Sequence, residues 1–102
     1  MTKLHPALLL VVLAVPAAAQ PRQGDPVEGR RLAETWCANC HAFSTSGRAG
    51  DAVPSFAAIA ARPGTTEEGI SAFLRTPHPV MPDHNLTLQE ARNLAAFLLT
   101  HR

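Results

Sequence analysis

The chain has 102 residues, with nine Lys and Arg, eight Asp and Glu, and two cysteines. This length suits one small domain, and two cysteines are too few for a disulfide-rich scaffold. The formal net charge of +1 lacks the basic excess that is typical of nucleic-acid-binding proteins, so we expect no nucleic-acid partner.

The N-terminus is predicted to be an export signal. Lys3 supplies a positive charge, an apolar run extends over residues 7–15, and the small residues 17–19 follow Pro16. We expect cleavage near Ala19 and a periplasmic destination. A retained anchor is the alternative, but the run is shorter than the roughly 20 residues that cross a bilayer, so no stable membrane anchor is expected. The predicted units are a signal peptide (1–19), a short lead-in (20–24) and one domain (25–102).

The first helix of the domain is predicted to begin after Asp25. Asp25 is a suitable N-cap, Pro26 fits the first helical position, and Glu28 completes a capping-box pattern. One face carries small and apolar residues at helical spacing. Its members are Gly29, Leu32, Ala33 and Trp36.

Directly after this helix, the segment Cys37-Ala38-Asn39-Cys40-His41 contains both cysteines. Two thiols about one helical turn apart can each add to a different vinyl group of one haem, which leaves the adjacent imidazole under the iron. We therefore predict one haem c, attached covalently through Cys37 and Cys40, with His41 as an axial ligand of the iron.

A pair of cysteines at this spacing has other uses. A redox dithiol is expected within alternating strands and helices, and the chain offers no convincing strand. A zinc site needs four ligands, and no further cysteine is present to complete one. A disulfide between Cys37 and Cys40 would close a very small loop and stabilise the fold little. Haem attachment is the interpretation that uses all three side chains of the motif.

Two short helices are predicted beyond the loop that follows His41. The first extends from Pro54 to Ala61 and ends before Pro63. The second opens with a capping box of Thr65 and Glu68 and stops at Pro77. The side chains expected to face inward are Phe56, Ile59 and Ala60 in the first, and Ile70, Phe73 and Leu74 in the second.

Residues 76–85 include three prolines and are predicted to form a stiff loop, because proline removes backbone donors and fixes φ. Met81 lies in this loop, outside any apolar helical face, and is the only methionine besides the initiator. A thioether ligand raises the reduction potential of haem iron, so Met81 is the leading candidate for the second axial ligand. His78 and His84 are alternatives, and an empty distal site would permit peroxidase or gas-binding chemistry.

A last helix is predicted from Thr87, in a capping box with Glu90, to about His101. Its apolar face pairs with that of the first helix, so we expect an all-helical domain closed by contact between its two ends. The residues of this face are Ala91, Leu94, Ala95 and Leu98, with Phe97 beside them.

Three stretches, residues 29–41, 73–82 and 86–98, together resemble the small bacterial class I cytochromes c. The resemblance implies an all-α cytochrome c fold, with about four short helices around one covalently bound haem. It also implies thioether links at Cys37 and Cys40, and axial ligation by His41 and Met81.

By the same resemblance, Gly29 meets Phe97 where the first and last helices cross. The carbonyl of Pro54 matches the one that accepts a hydrogen bond from the other nitrogen of His41, which would set the tautomer of the imidazole and strengthen it as a ligand. The family's lysine-rich docking ring cannot be carried over, because Lys3 is the only lysine.

An iron with both axial positions filled can change its charge with little change of geometry. We therefore expect an exported monohaem electron carrier and not an enzyme. Its partners would be periplasmic redox proteins, with a dehydrogenase or respiratory complex as donor and an oxidase, reductase or cytochrome as acceptor. The alternatives are a dedicated haem subunit of a periplasmic dehydrogenase, such as a sulfite-oxidising enzyme, and a five-coordinate haem sensor or peroxidase-like protein.

Overall fold

The computed structural model describes residues 1–2, 11, 13–14, 22–44, 53–76 and 80–102. Within these residues the chain forms helices and no strand, which confirms the predicted all-α class. Most of the predicted export signal, including Ala19, lies outside them, and no helix of the described part is long and apolar enough to cross a membrane. The helices are α1 (Pro26–Trp36), α2 (Phe56–Ala60), α3 (Glu67–Leu74) and α4 (Leu88–Leu99).

Helix α4 is the central element, because α1, α2 and α3 all pack against it. The contact between α1 and α4 depends on a glycine. A Cβ at Gly29 would lie 1.8 Å from the carbonyl oxygen of Asn93 and 2.8 Å from the Cβ of Phe97. A side chain at this position would therefore push the two helices apart. The predicted contact between Gly29 and Phe97 is confirmed.

The hydrophobic core lies between α4 and the other helices. Ala33, Ala91 and Ala95 have no exposed surface, and their small side chains allow the helix backbones to approach one another. Every residue predicted for the apolar face of the last helix is buried. The larger side chains of the core are Phe56, Ile70, Leu94, Phe97 and Leu98.

The capping box of α4 is present as predicted. The Glu90 N–H donates to Thr87 Oγ1 at 3.1 Å, and the Thr87 N–H donates to Glu90 Oε2 at 2.8 Å. At α1 the predicted box is wrong: Asp25 caps the helix through the Val27 N–H at 2.9 Å, but Glu28 pairs with Arg31. The Asp25 N–H instead donates to Asn93 on α4.

The box predicted for α3 is also wrong, since the helix begins one residue later. Thr66 is the N-cap and accepts from the Gly69 N–H at 3.1 Å. The Thr65 hydroxyl donates at 2.8 Å to the carbonyl of Arg62, in the preceding turn. Thr65 and Thr66 were both suitable N-caps. The hydroxyl of Thr65 is used in the turn after α2, so Thr66 caps the helix.

Two aromatic side chains lie further outward than predicted. Phe73 is 55% exposed and Trp36 is 50% exposed. Helix α3 has only eight residues and buries Ile70 and Ser71, so its inner face is rotated towards Ser71 and away from Phe73.

The described part of the lead-in is held against the helices by hydrogen bonds. The Arg22 N–H donates to Gln89 Oε1 and the Gly24 N–H to Glu67 Oε1, each at 3.0 Å. The Asp25 N–H donates to Asn93 Oδ1 at 2.9 Å. These bonds set the angle at which the chain enters α1.

Candidate haem site

The end of α1 places both cysteines and His41 within one tight turn. Cys37 is the C-cap of the helix, and its N–H donates to the carbonyl of Ala33 at 2.8 Å. The N–H groups of Cys40 and His41 both donate to the carbonyl of Cys37, at 3.1 and 2.9 Å. The backbone of the motif is therefore fixed by its own hydrogen bonds, and the motif side chains leave it from successive positions of a turn.

The two thiols differ in environment. Cys37 is buried in the core, whereas Cys40 is exposed. Burial raises the pKa of the Cys37 thiol from 9.0 to about 11, because the surroundings disfavour the thiolate.

The imidazole of His41 is held by a backbone acceptor. Its Nδ1 lies 2.7 Å from the carbonyl oxygen of Pro54. A carbonyl only accepts, so Nδ1 carries the proton and donates, and Nε2 of the neutral ring keeps a free lone pair. The hydrogen bond expected between these two residues is present, and it leaves Nε2 as the nitrogen that can bind a metal.

The segment after the motif lies alongside the start of α2. The Phe56 N–H donates to the carbonyl of Ala42 at 2.9 Å, and the Ala57 N–H donates to that of Phe43 at 3.0 Å. The rings of Phe43 and Phe56 are stacked with their centroids 4.8 Å apart. These contacts fix the position of the Pro54 carbonyl relative to His41.

Met81, the predicted second ligand, is half-buried and lines a cleft of about 220 Å³. The loop that carries it is joined to the end of α1 by a ring contact, since His84 lies 5.2 Å from Trp36 between centroids. His78, the other histidine considered as a ligand, lies outside the described residues. The cleft is lined by Leu74, Thr76, Met81, Pro82, Asp83, His84 and Leu86.

The available donors fit a haem iron. A neutral imidazole nitrogen and a thioether sulfur form a known axial ligand pair of cytochromes c, and Leu74 and Leu86 give the Met81 cleft apolar walls. No group of three or more His, Cys, Asp or Glu side chains in the described ranges is arranged to hold a metal ion. The zinc alternative therefore gains no support from this part of the chain.

Comparison with known proteins identifies the family of the chain. A family model described as "cytochrome c oxidase, cbb3-type, subunit III" matches residues 24–98. The chain is also similar to cytochrome c-552 of Bradyrhizobium diazoefficiens, with 38% identity over 97 residues that cover 93% of each chain. No solved structure matches it. The chain belongs to this cytochrome c family and is a small class I c-type cytochrome.

Membership of this family confirms the predicted cofactor and the general function. The protein carries one covalently attached haem c and transfers single electrons. Cytochromes of this kind are in general electron carriers and not enzymes.

Two features of the site were not foreseen from the sequence. One is the contact between Trp36 and His84, which links residues far apart in the chain and has no local signal. The other is the cap of α2, where the Ala58 N–H donates to Ser55 Oγ at 3.0 Å. Serine is a preferred N-cap residue, and its hydroxyl typically accepts from the N–H three residues later. The cap of α2 could therefore have been predicted.

Proposed function

We propose that the protein is a periplasmic electron carrier whose haem is bound to Cys37 and Cys40, with the iron held between His41 Nε2 and Met81 Sδ. The observation that carries this proposal is the 2.7 Å hydrogen bond from His41 Nδ1 to the Pro54 carbonyl. It fixes the tautomer and leaves Nε2 available. When bound, a haem c with this ligand pair supplies a one-electron couple of raised potential.

The surrounding residues of the protein hold the two axial ligands in place. The carbonyl of Pro54 increases the basicity of His41 by accepting its Nδ1 proton. Pro82 restricts the backbone beside Met81, so that ordering the loop costs little entropy. With His41 and Met81 both bound, no iron position is open to a substrate, which supports a carrier and not a catalyst.

The proposed export signal and the charge that remains after its removal bear on how the protein meets its partners. Cleavage near Ala19 would remove Lys3 and leave eight arginines against eight Asp and Glu. A protein part without net charge gives weak long-range steering, so docking to a donor dehydrogenase or respiratory complex, and to an acceptor oxidase or cytochrome, would depend on apolar contact.

A dedicated haem subunit is the second candidate, because the matching family model is described as a subunit of an oxidase. The match to cytochrome c-552 covers 93% of that relative's own length, so the relative has about the size of this chain, and this favours the free carrier. Size-exclusion chromatography of a native periplasmic extract separates the two. Elution of the haem with a larger catalytic chain would favour the subunit.

Visible spectra of the purified, haem-loaded protein test the ligand set. We expect a low-spin ferric spectrum with the weak red band of a methionine ligand, and colour that survives extraction with acidic acetone. Met81→Ala should abolish the red band, because the thioether is lost, while His84→Ala in the same cleft should retain it. A wild-type protein that binds CO rapidly and lacks the red band would refute ligation by Met81.

A further inference from the structure

The start of α2 contacts His41 in more than one way. Besides the bond to the Pro54 carbonyl, the ring of Phe56 lies 5.7 Å from the imidazole, with the planes tilted by 47°. Phe56 is only 5% exposed, and Ser55, between it and Pro54, is 4% exposed. The proximal imidazole is therefore in contact with a buried turn of fixed conformation.

Ser55 connects the Pro54 carbonyl to helix α2. That carbonyl belongs to the peptide unit joining Pro54 to Ser55, so its direction relative to α2 follows the backbone angles of Ser55. These are φ −67° and ψ 160°, and they are held by the N-cap bond from the Ala58 N–H to Ser55 Oγ. Loss of the hydroxyl would remove one of the bonds that hold the first turn of α2. The acceptor of the His41 proton would then shift as far as the backbone bonds of Phe56 and Ala57 allow.

Phe56 acts on the other degree of freedom of the imidazole, its rotation about the bond from Nε2 to the metal. The ring is held in place by Phe43 at 4.8 Å and by Phe97 at 6.0 Å between centroids. A rigid aromatic wall beside an imidazole limits the angles that the imidazole can adopt.

We propose that Ser55 and Phe56 are positioning residues, which hold the His41 imidazole at a fixed angle and a fixed hydrogen-bond strength and thereby help to set the reduction potential of the haem. The inference rests on the proposed ligation of the iron by His41. A strong bond at Nδ1 makes the imidazole a better donor to ferric iron, so weakening the bond favours the ferrous state and raises the potential.

Redox titration and proton NMR of the haem-loaded protein test this inference. In Ser55→Ala, we expect the ratio of reduced to oxidised protein at a fixed solution potential to rise by about threefold. The hyperfine-shifted haem methyl resonances of the ferric protein, whose pattern depends on the orientations of the axial ligands, should also move. Ser55→Thr keeps the hydroxyl and should restore both readouts. Phe56→Leu should change the methyl pattern while the N-cap remains intact.

Ser71→Ala is the matched control. Ser71 is 3% exposed, and its hydroxyl donates at 2.7 Å to the carbonyl of Glu67 within α3, so its loss should leave potential and methyl pattern unchanged. Folded Ser55→Ala and Phe56→Leu proteins with wild-type values would overturn the inference while leaving the proposed function intact. A wild-type ferric spectrum without a histidine ligand would instead contradict the proposed function.

Discussion

At the scale of single residues, the side chains of the candidate haem site depend on the groups that contact them in the fold. The His41 Nδ1 lies beside the carbonyl of Pro54, and the imidazole also contacts the ring of Phe56. Cys37 lies in the core and Cys40 on the surface. Local acceptors and local burial therefore give chemically similar groups different properties.

Val80, directly before Met81, lies in the left-handed region with φ 82° and is 97% exposed. A β-branched residue is strained there, and no buried contact is lost if it is replaced. Val80→Gly should therefore stabilise the haem-loaded protein by up to about 1 kcal/mol, measured by thermal unfolding. Val53→Gly, at an exposed valine without a positive φ, is the control and should not stabilise. Destabilisation by Val80→Gly would show that the backbone at Val80 is not strained.

At the scale of secondary-structure elements, α1 and α4 are joined by backbone contact and not by large side chains. A Cβ at Gly29 would overlap the carbonyl of Asn93, so Gly29→Ala must separate the helices. We expect a loss of about 3 kcal/mol or more of unfolding free energy, measured by denaturant titration of the ferric protein.

Gly69→Ala, in α3, is the matched control for Gly29→Ala. A Cβ at Gly69 would have Thr66 Oγ1 as its nearest neighbour, at 3.2 Å, and alanine is the better helix former by about 1 kcal/mol. This variant should be neutral or slightly stabilised. Equal effects of the two substitutions would show that the contact between α1 and α4 does not require glycine.

The acidic residues near the helix starts should also differ in their contributions. Glu90 accepts the Thr87 N–H in a complete capping box, so Glu90→Ala should cost about 1 kcal/mol. Glu28 forms only an exposed pair with Arg31, so Glu28→Ala should change stability by less than about 0.5 kcal/mol. Chemical denaturation measures both, and a larger effect at Glu28 would contradict this assignment of the caps.

At the scale of the whole molecule, we propose that the balanced charge left by cleavage near Ala19, eight arginines against eight Asp and Glu, governs how the carrier meets its partners. Without a strong field, association is not accelerated by electrostatic attraction. We expect the rate of electron transfer to an oxidase-containing membrane fraction to vary by less than about twofold between low and physiological ionic strength, measured by stopped-flow spectroscopy. A steep fall with added salt would reveal a charged docking face.

Helix positions and much of the core were predictable because they follow from local pattern. The apolar spacing of α4 identified all of its buried residues, and the Thr87 and Glu90 pattern gave its N-terminus. The errors arose where a local pattern had a competitor. Glu28 pairs with Arg31 on its own helix and not with the N-cap. Phe73 is exposed because α3 buries Ile70 and Ser71 instead.

The sequence by itself determined the cofactor, the fold class and the identity of the candidate ligands, because these depend on which functional groups exist and on their spacing along the chain. The tertiary structure decided the tautomer of His41, the environments of Cys37 and Cys40, and the contact between Trp36 and His84. These properties depend on which groups from distant segments meet in space. No local pattern specifies that, since it is fixed only when all the helices have packed around α4.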